Sequence, residues 1–80
     1  MQLSGNNART VADLACHETG VLLSLDLEPA LADRLMLLGF LPGEPVEAAQ
    51  CAPGGDPRVY RVDGTEIALR RETALRLLLK

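Results

Sequence analysis

The feature that most constrains this 80-residue chain is a short helix with an abrupt end. Pro29 suits the first helical position, because its missing N–H has no partner to lose there and its fixed φ is already helical. Gly39 can adopt the left-handed backbone conformation that commonly ends a helix, and the side chain of Phe40 directly after it can then pack back against the last turn. Spacings of four and three predict one apolar face: Leu31, Leu35 and Leu38.

Either side of the helix, the apolar pattern changes to a period of two, which is typical of half-buried antiparallel strands. In the first strand we expect Val21 and Leu23 to face inward and Leu22 to lie on the outer face. Asp63-Gly64 is a strong signal for a two-residue hairpin. We predict a mainly β fold, a small closed antiparallel barrel of about five strands. The helix lies between the first two main strands, a helical turn falls near 70–74, and the strands fall at 20–27, 44–52, 58–62, 65–69 and 75–79.

Composition excludes several classes of function. The net charge is −3, with 11 acidic and 8 basic side chains, which argues against binding a phosphate backbone. One Tyr, one Phe and no Trp provide no stacking platform for nucleic-acid bases. No apolar run approaches the ~20 residues that a membrane helix needs. We therefore expect a cytoplasmic protein without nucleic-acid binding or membrane insertion, in which Cys16 and Cys51 are free thiols.

The chemistry-bearing residues form no catalytic set. His17 is the only histidine, and its neighbour Cys16 should point away from it, so we predict no enzymatic activity. Cys16, His17 and Glu18 are three consecutive potential metal ligands, although a tight site usually draws its ligands from separated segments. They are weak candidates for binding Fe²⁺ or Zn²⁺, and we expect no required cofactor.

One residue of the helix does not fit a core role. On the helical wheel Leu37 lies beside Asp33 and Arg34, away from the leucine face. A large apolar side chain on the polar side of a small domain is either scattered surface or a contact site. We take it as the centre of a candidate partner-binding surface at the helix end: Met36, Leu37, Phe40 and Leu41.

Several short motifs follow one another over about seventy residues, from Thr10 to the C-terminus. They are Asp13-Leu14 with Gly20, residues 34–39, Leu41-Pro42-Gly43 with Val46-Glu47, residues 52–57 and residues 67–74. Individually each motif is weak, but their order and spacing together resemble the FeoA family, the small cytosolic component of bacterial ferrous iron uptake. Arg58 stands where the family usually has an apolar strand residue.

The resemblance implies an SH3-like domain over 10–80 that follows a flexible tail over 1–9. It implies a non-catalytic accessory protein that contacts the cytosolic part of the membrane iron permease FeoB. The alternative is a small metal-binding sensor or metallochaperone, because metal-dependent repressors carry a similar SH3-like domain. A homodimer through the apolar edge at 75–79 is a further option if that edge is uncovered.

Overall fold

The structure, a computed structural model, describes residues 9–50 and 56–80. The predicted tail falls outside the described residues up to residue 8, and residues 51–55 of the loop before the third strand also fall outside them. The elements follow one another as a 3₁₀ turn η1 (Val11–Asp13), β1 (Thr19–Leu25), α1 (Pro29–Leu37), β2 (Pro45–Gln50), β3 (Arg58–Val62), β4 (Thr65–Leu69), α2 (Arg71–Ala74) and β5 (Leu77–Leu79).

The strands form one antiparallel sheet in the order β4-β3-β2-β1-β5. The mainly β architecture, with α1 between the first two strands and a helical turn before the last, is therefore confirmed. Asp63 and Gly64 join β3 to β4, and both have positive φ, 50° and 77°, as a type I′ hairpin requires. The two edge strands, β4 and β5, are consecutive in the chain and are joined by α2.

The edge of β5 that faces away from β1 is covered by the start of the described chain. Thr10 forms a bridge with Leu78, and the Leu79 N–H donates to the Arg9 carbonyl at 2.8 Å. The Thr10 N–H in turn donates to Asp13 Oδ2 at 2.8 Å, which fixes the entry into η1. The edge at 75–79 is thus paired along Leu78–Leu79, so these two residues are not open to a second copy of the chain.

The core contains the inward-facing side chains of the sheet and the residues around the end of α1. Tyr60, Val62, Val46 and Leu69 face inward and are buried. Arg58, at the start of β3, is half-buried; its Nη1 donates to the Leu14 carbonyl at 3.0 Å and its guanidinium lies 5.5 Å from the Tyr60 ring centroid. The remaining buried members of this cluster are Val11, Leu14, Leu22, Leu35, Phe40, Ala48, Ala74, Leu77 and Leu79.

The predicted orientation of β1 is wrong in its first half. Leu22 is fully buried, whereas Val21 and Leu23 are 38% and 48% exposed. The register with β5 shifts between Leu22 and Ser24, and this irregularity changes the phase of the alternation, so that Leu25 packs against the core as predicted. Because 21, 22 and 23 are all apolar, period-two patterning alone could not choose between the two registers.

Candidate partner-binding surface

The end of α1 forms the rigid turn that the sequence predicts. Gly39 has φ +115°, its N–H donates to the Met36 carbonyl at 3.1 Å, and the Phe40 N–H donates to the Leu35 carbonyl at 3.1 Å. These two bonds define a Schellman motif, whose C″ residue normally makes an apolar contact back to the helix. Phe40 and Leu35 belong to the same buried cluster. The chain direction after α1 is therefore fixed by backbone bonds and by core packing together.

This turn leaves a group of apolar side chains at the surface. Leu37 is 88% exposed, as the helical wheel predicts. Leu38 was expected on the inner face, but it is the C-cap residue and its side chain is largely exposed. We use the name helix-end surface for the exposed apolar residues around this turn: Met36, Leu37, Leu38 and Leu41.

Phe40 does not belong to that surface. Its exposed fraction is 0%, so its inclusion among the contact residues is corrected here. The physical reason is the Schellman geometry, which points the C″ side chain back into the domain while the residues before and after it face outward. Phe40 supports the helix-end surface from beneath and offers no area of its own to a partner.

A charged depression of about 410 Å³ lies over β1, β2 and the β3–β4 turn; Glu44, Glu47, Arg61 and Asp63 are among the residues that line it. Arg61 bridges two carboxylates, with Nη1 2.9 Å from Glu47 Oε1 and Nη2 2.7 Å from Glu66 Oε2. Both carboxylates raise the pKa of Arg61, and the hydrogen bond to Glu66 has the largest effect. Within residues 9–50 and 56–80, Glu44 and Asp63 make no ion pair.

The depression adjoins the helix-end surface through short contacts. The Glu44 N–H donates to the Leu41 carbonyl at 3.0 Å. Gly39 packs against the β3–β4 turn so closely that an added Cβ would lie 3.3 Å from the Asp63 Cβ. Glu44 and Asp63 therefore adjoin the turn that carries the exposed leucines. Glu44 follows Leu41 by three positions in the sequence, whereas Asp63 reaches the end of α1 only through the tertiary fold. The sequence therefore gives no signal that these two carboxylates lie in one depression.

The three consecutive candidate metal ligands do not converge. Cys16 is disulfide-bonded, so the expectation of a free thiol is wrong for this residue; the other cysteine of the chain, Cys51, lies outside the described residues. Glu18 is turned toward Arg9, whose Nη2 lies 3.0 Å from Glu18 Oε1, and it also accepts the Ala15 N–H at 2.8 Å. The Arg9 hydrogen bond, followed by the Ala15 N–H, lowers the pKa of Glu18.

His17 points elsewhere, toward β2. Its Nδ1 lies 4.0 Å from Glu47 Oε2, and Glu47 is already paired with Arg61. In the part of the chain that the structure describes, no group of three or more His, Cys, Asp or Glu side chains is placed to hold a metal ion. Two ligands, one of them engaged by a guanidinium, do not fit a four-coordinate zinc site. The residues present therefore do not form a closed metal centre within residues 9–50 and 56–80.

The fold defines a small SH3-like domain, and exposed apolar residues surround the end of its helix α1. Its backbone matches the solution structure of FeoA from Chlorobium tepidum with a TM-score of 0.82, at 28% identity over 89% of this chain and 68% of that one. It matches the zinc complex of Stenotrophomonas maltophilia FeoA, a prokaryotic SH3 domain protein, with a TM-score of 0.79, at 36% identity over 91% of each chain.

The FeoA domain model matches residues 9–80, and the chain belongs to the FeoA family. Membership of this family makes it a non-enzymatic accessory protein. A curated relative, the Fe(2+) transport protein A/Fe(2+) transporter FeoB fusion protein of Porphyromonas gingivalis, is 28% identical over 67 residues. These residues are 84% of this chain but only 8% of the fusion protein, so the chain spans a small part of that relative. The longest helix among the described residues, α1, has nine residues, too few to cross a bilayer.

Proposed function

We propose that this protein acts from the cytoplasm in ferrous iron uptake by binding the cytosolic part of a FeoB-type permease through the helix-end surface. The observation that carries the proposal is the 88% exposure of Leu37 on a helix end whose backbone is fixed by the Schellman bonds. The FeoA–FeoB fusion supports the choice of partner, because a fusion keeps its two parts together in one chain.

The helix-end surface has the properties of a contact site because its residues are clustered and held. Met36, Leu37, Leu38 and Leu41 fall within six consecutive positions, so they are not isolated exposed residues. Phe40 and Gly39 fix the backbone between them, which reduces the conformational entropy that ordering on binding would cost. A rigid apolar turn of this kind can insert into a complementary apolar groove on a partner.

The test is a binding measurement between the full chain and the purified cytosolic part of the permease, with Leu37→Asp as the variant. Burying a leucine stabilises an interface by about 1.5–3 kcal/mol, so we expect Kd to rise by at least about tenfold. Leu75→Asp is the matched control, since Leu75 is 43% exposed and follows α2 outside the helix-end surface. We expect Leu75→Asp to bind as the wild type does.

Thermal unfolding of both variants keeps the comparison interpretable, because both leucines are exposed and neither substitution removes a core side chain. Unchanged binding by a folded Leu37→Asp variant would refute the assignment of the helix-end surface. Ferrous iron uptake in a strain lacking the protein then extends the test to function. Wild type and Leu75→Asp should restore uptake, and Leu37→Asp should not.

The alternative function, a metal sensor or metallochaperone, receives less support. Its candidate ligands Cys16, His17 and Glu18 are directed to three different partners. The zinc complex belongs to the Stenotrophomonas maltophilia protein and indicates that a FeoA fold can be crystallised with this ion. Weak divalent metal binding at Cys16, His17 and Glu18 therefore stays a prediction, and titration of the protein with Zn²⁺ or Fe²⁺ tests it.

A further inference from the structure

We infer that the helix-end surface is one half of a composite site, and that the charged depression beside it receives a Lys or Arg side chain of the same partner segment. The inference rests on the proposed function and deepens it by giving the partner segment a chemistry. The segment should present apolar side chains to Leu37 and Leu41 and a cation to Glu44 and Asp63.

The charge of the depression favours a cation. Glu44, Glu47 and Asp63 are its three carboxylates, and Arg61 is its one guanidinium. Arg61 is engaged with Glu47 and with Glu66, and the carboxylates of Glu44 and Asp63 make no ion pair among the described residues. Bringing a cation into this depression therefore satisfies two acceptors without breaking a pair that already exists.

The depression lies next to the helix-end surface. Glu44 is bonded through its N–H to the Leu41 carbonyl at 3.0 Å, and Asp63 lies against Gly39 at the end of α1. Both residues therefore adjoin the turn after α1, and a single short segment can contact this turn and the depression together. A cation beside apolar side chains is the complement of this surface, and charge complementarity fixes the orientation in which such a segment docks.

The same charges exclude an anionic lipid surface as the occupant. A membrane of that kind recruits clustered Lys and Arg, whereas this border is acidic and the whole chain carries −3. Apolar residues next to carboxylates at a membrane would bring the carboxylates toward anionic headgroups, which is unfavourable. The surface is therefore suited to a basic protein segment and not to the bilayer beside the permease.

The test compares two double variants with the same change in charge. Glu44→Gln with Asp63→Asn neutralises the border, and Glu28→Gln with Glu72→Gln neutralises two carboxylates of the separate groove between the β1–α1 loop and α2. Glu28 and Glu72 make no ion pair in the described part of the chain, so they match Glu44 and Asp63 in charge and in lacking a charged partner. Binding to the purified cytosolic part of the permease is measured at low and at physiological salt.

We expect the border variant to raise Kd roughly threefold to tenfold at low salt and to reduce the salt dependence of binding. The groove variant should bind as the wild type does. If both variants weaken binding equally, the effect comes from the net charge of the protein and not from the position of the carboxylates, and the inference is overturned. Wild-type binding by the border variant, when Leu37→Asp has lost binding, would overturn the composite site while the proposed function stands.

Two further outcomes bear on the same inference. If Leu37→Asp retains full binding, the helix-end surface itself is not the contact site, and the composite site falls with it. Vesicles of phosphatidylcholine with phosphatidylserine should not bind the full chain. Binding to those vesicles that is lost in Leu37→Asp would overturn the basic protein segment as the occupant in favour of the lipid surface.

Discussion

Replacing Phe40 by Ala should destabilise the domain strongly, because this side chain is fully buried in the core directly after the Schellman turn. Truncating a buried Phe to Ala typically lowers the free energy of unfolding by about 3–5 kcal/mol. At roughly 0.05–0.15 kcal/mol per residue, a domain of this length has about 4–12 kcal/mol in total. The single substitution therefore removes a large part of the stability and in the weaker case unfolds the protein.

The assay is urea unfolding followed by far-ultraviolet circular dichroism. Leu41→Ala is the matched control one position along, since Leu41 is 41% exposed and its truncation should cost about 0.5 kcal/mol or less. Phe40→Leu keeps most of the buried volume and should fall between the two. A loss below about 1 kcal/mol in Phe40→Ala, with binding to the permease abolished, would refute the burial argument and return Phe40 to the contact surface.

Burial raises the pKa of Tyr60, with Arg58 acting in the opposite direction, so the folded state holds the phenol proton to higher pH than the unfolded chain does. The protonated Tyr60 therefore contributes stability that is present below the ordinary pKa of 10.0 and is lost as the pH rises through the folded-state pKa. We expect Tyr60→Phe to reduce this loss of stability at alkaline pH. An absorbance titration in which this single Tyr ionises at its ordinary pKa would contradict the prediction. Titration with Zn²⁺ or Fe²⁺ should give weak binding at most, with and without reductant. Micromolar one-to-one binding that His17→Ala abolishes would instead favour the metal-sensing alternative.

The local elements could be predicted from the sequence because the conformation of each one depends on consecutive residues. Gly39 followed by Phe40 predicts the Schellman end, and both of its hydrogen bonds are present. Asp63-Gly64 predicts the type I′ hairpin, and both residues have the positive φ it needs. In these turns the backbone conformation depends on one or two residue types, so no tertiary information is required.

The features that were missed depend on contacts between distant segments. The burial of Leu22 follows from how β1 pairs with β5, and three adjacent apolar residues leave that register open. The disulfide at Cys16 could not be predicted from two cysteines 35 positions apart in the sequence. Arg58, unexpected at a strand position, is accommodated by the carbonyl of Leu14, 44 residues away.

The candidate surface combines both kinds of information. The helical wheel alone identifies Leu37 as misplaced, but it takes the fold to remove Phe40 from the surface and to add Leu38. It also takes the fold to bring Asp63 beside Glu44 and the turn after α1. A pattern in one helix can therefore indicate a candidate contact site, whereas the charged residues beside that site are identified only once the other strands are placed.

The fold itself gives no reason for a leucine at position 37. A Schellman end requires the glycine at C′ and an apolar C″ residue, and Gly39 and Phe40 meet both requirements. An exposed side chain such as Leu37 contributes little to stability, and a polar residue there would serve the isolated domain equally well. On the proposed function, the exposed leucines at this turn are buried only in the complex, and the carboxylates of the adjoining depression restrict which segment can bury them.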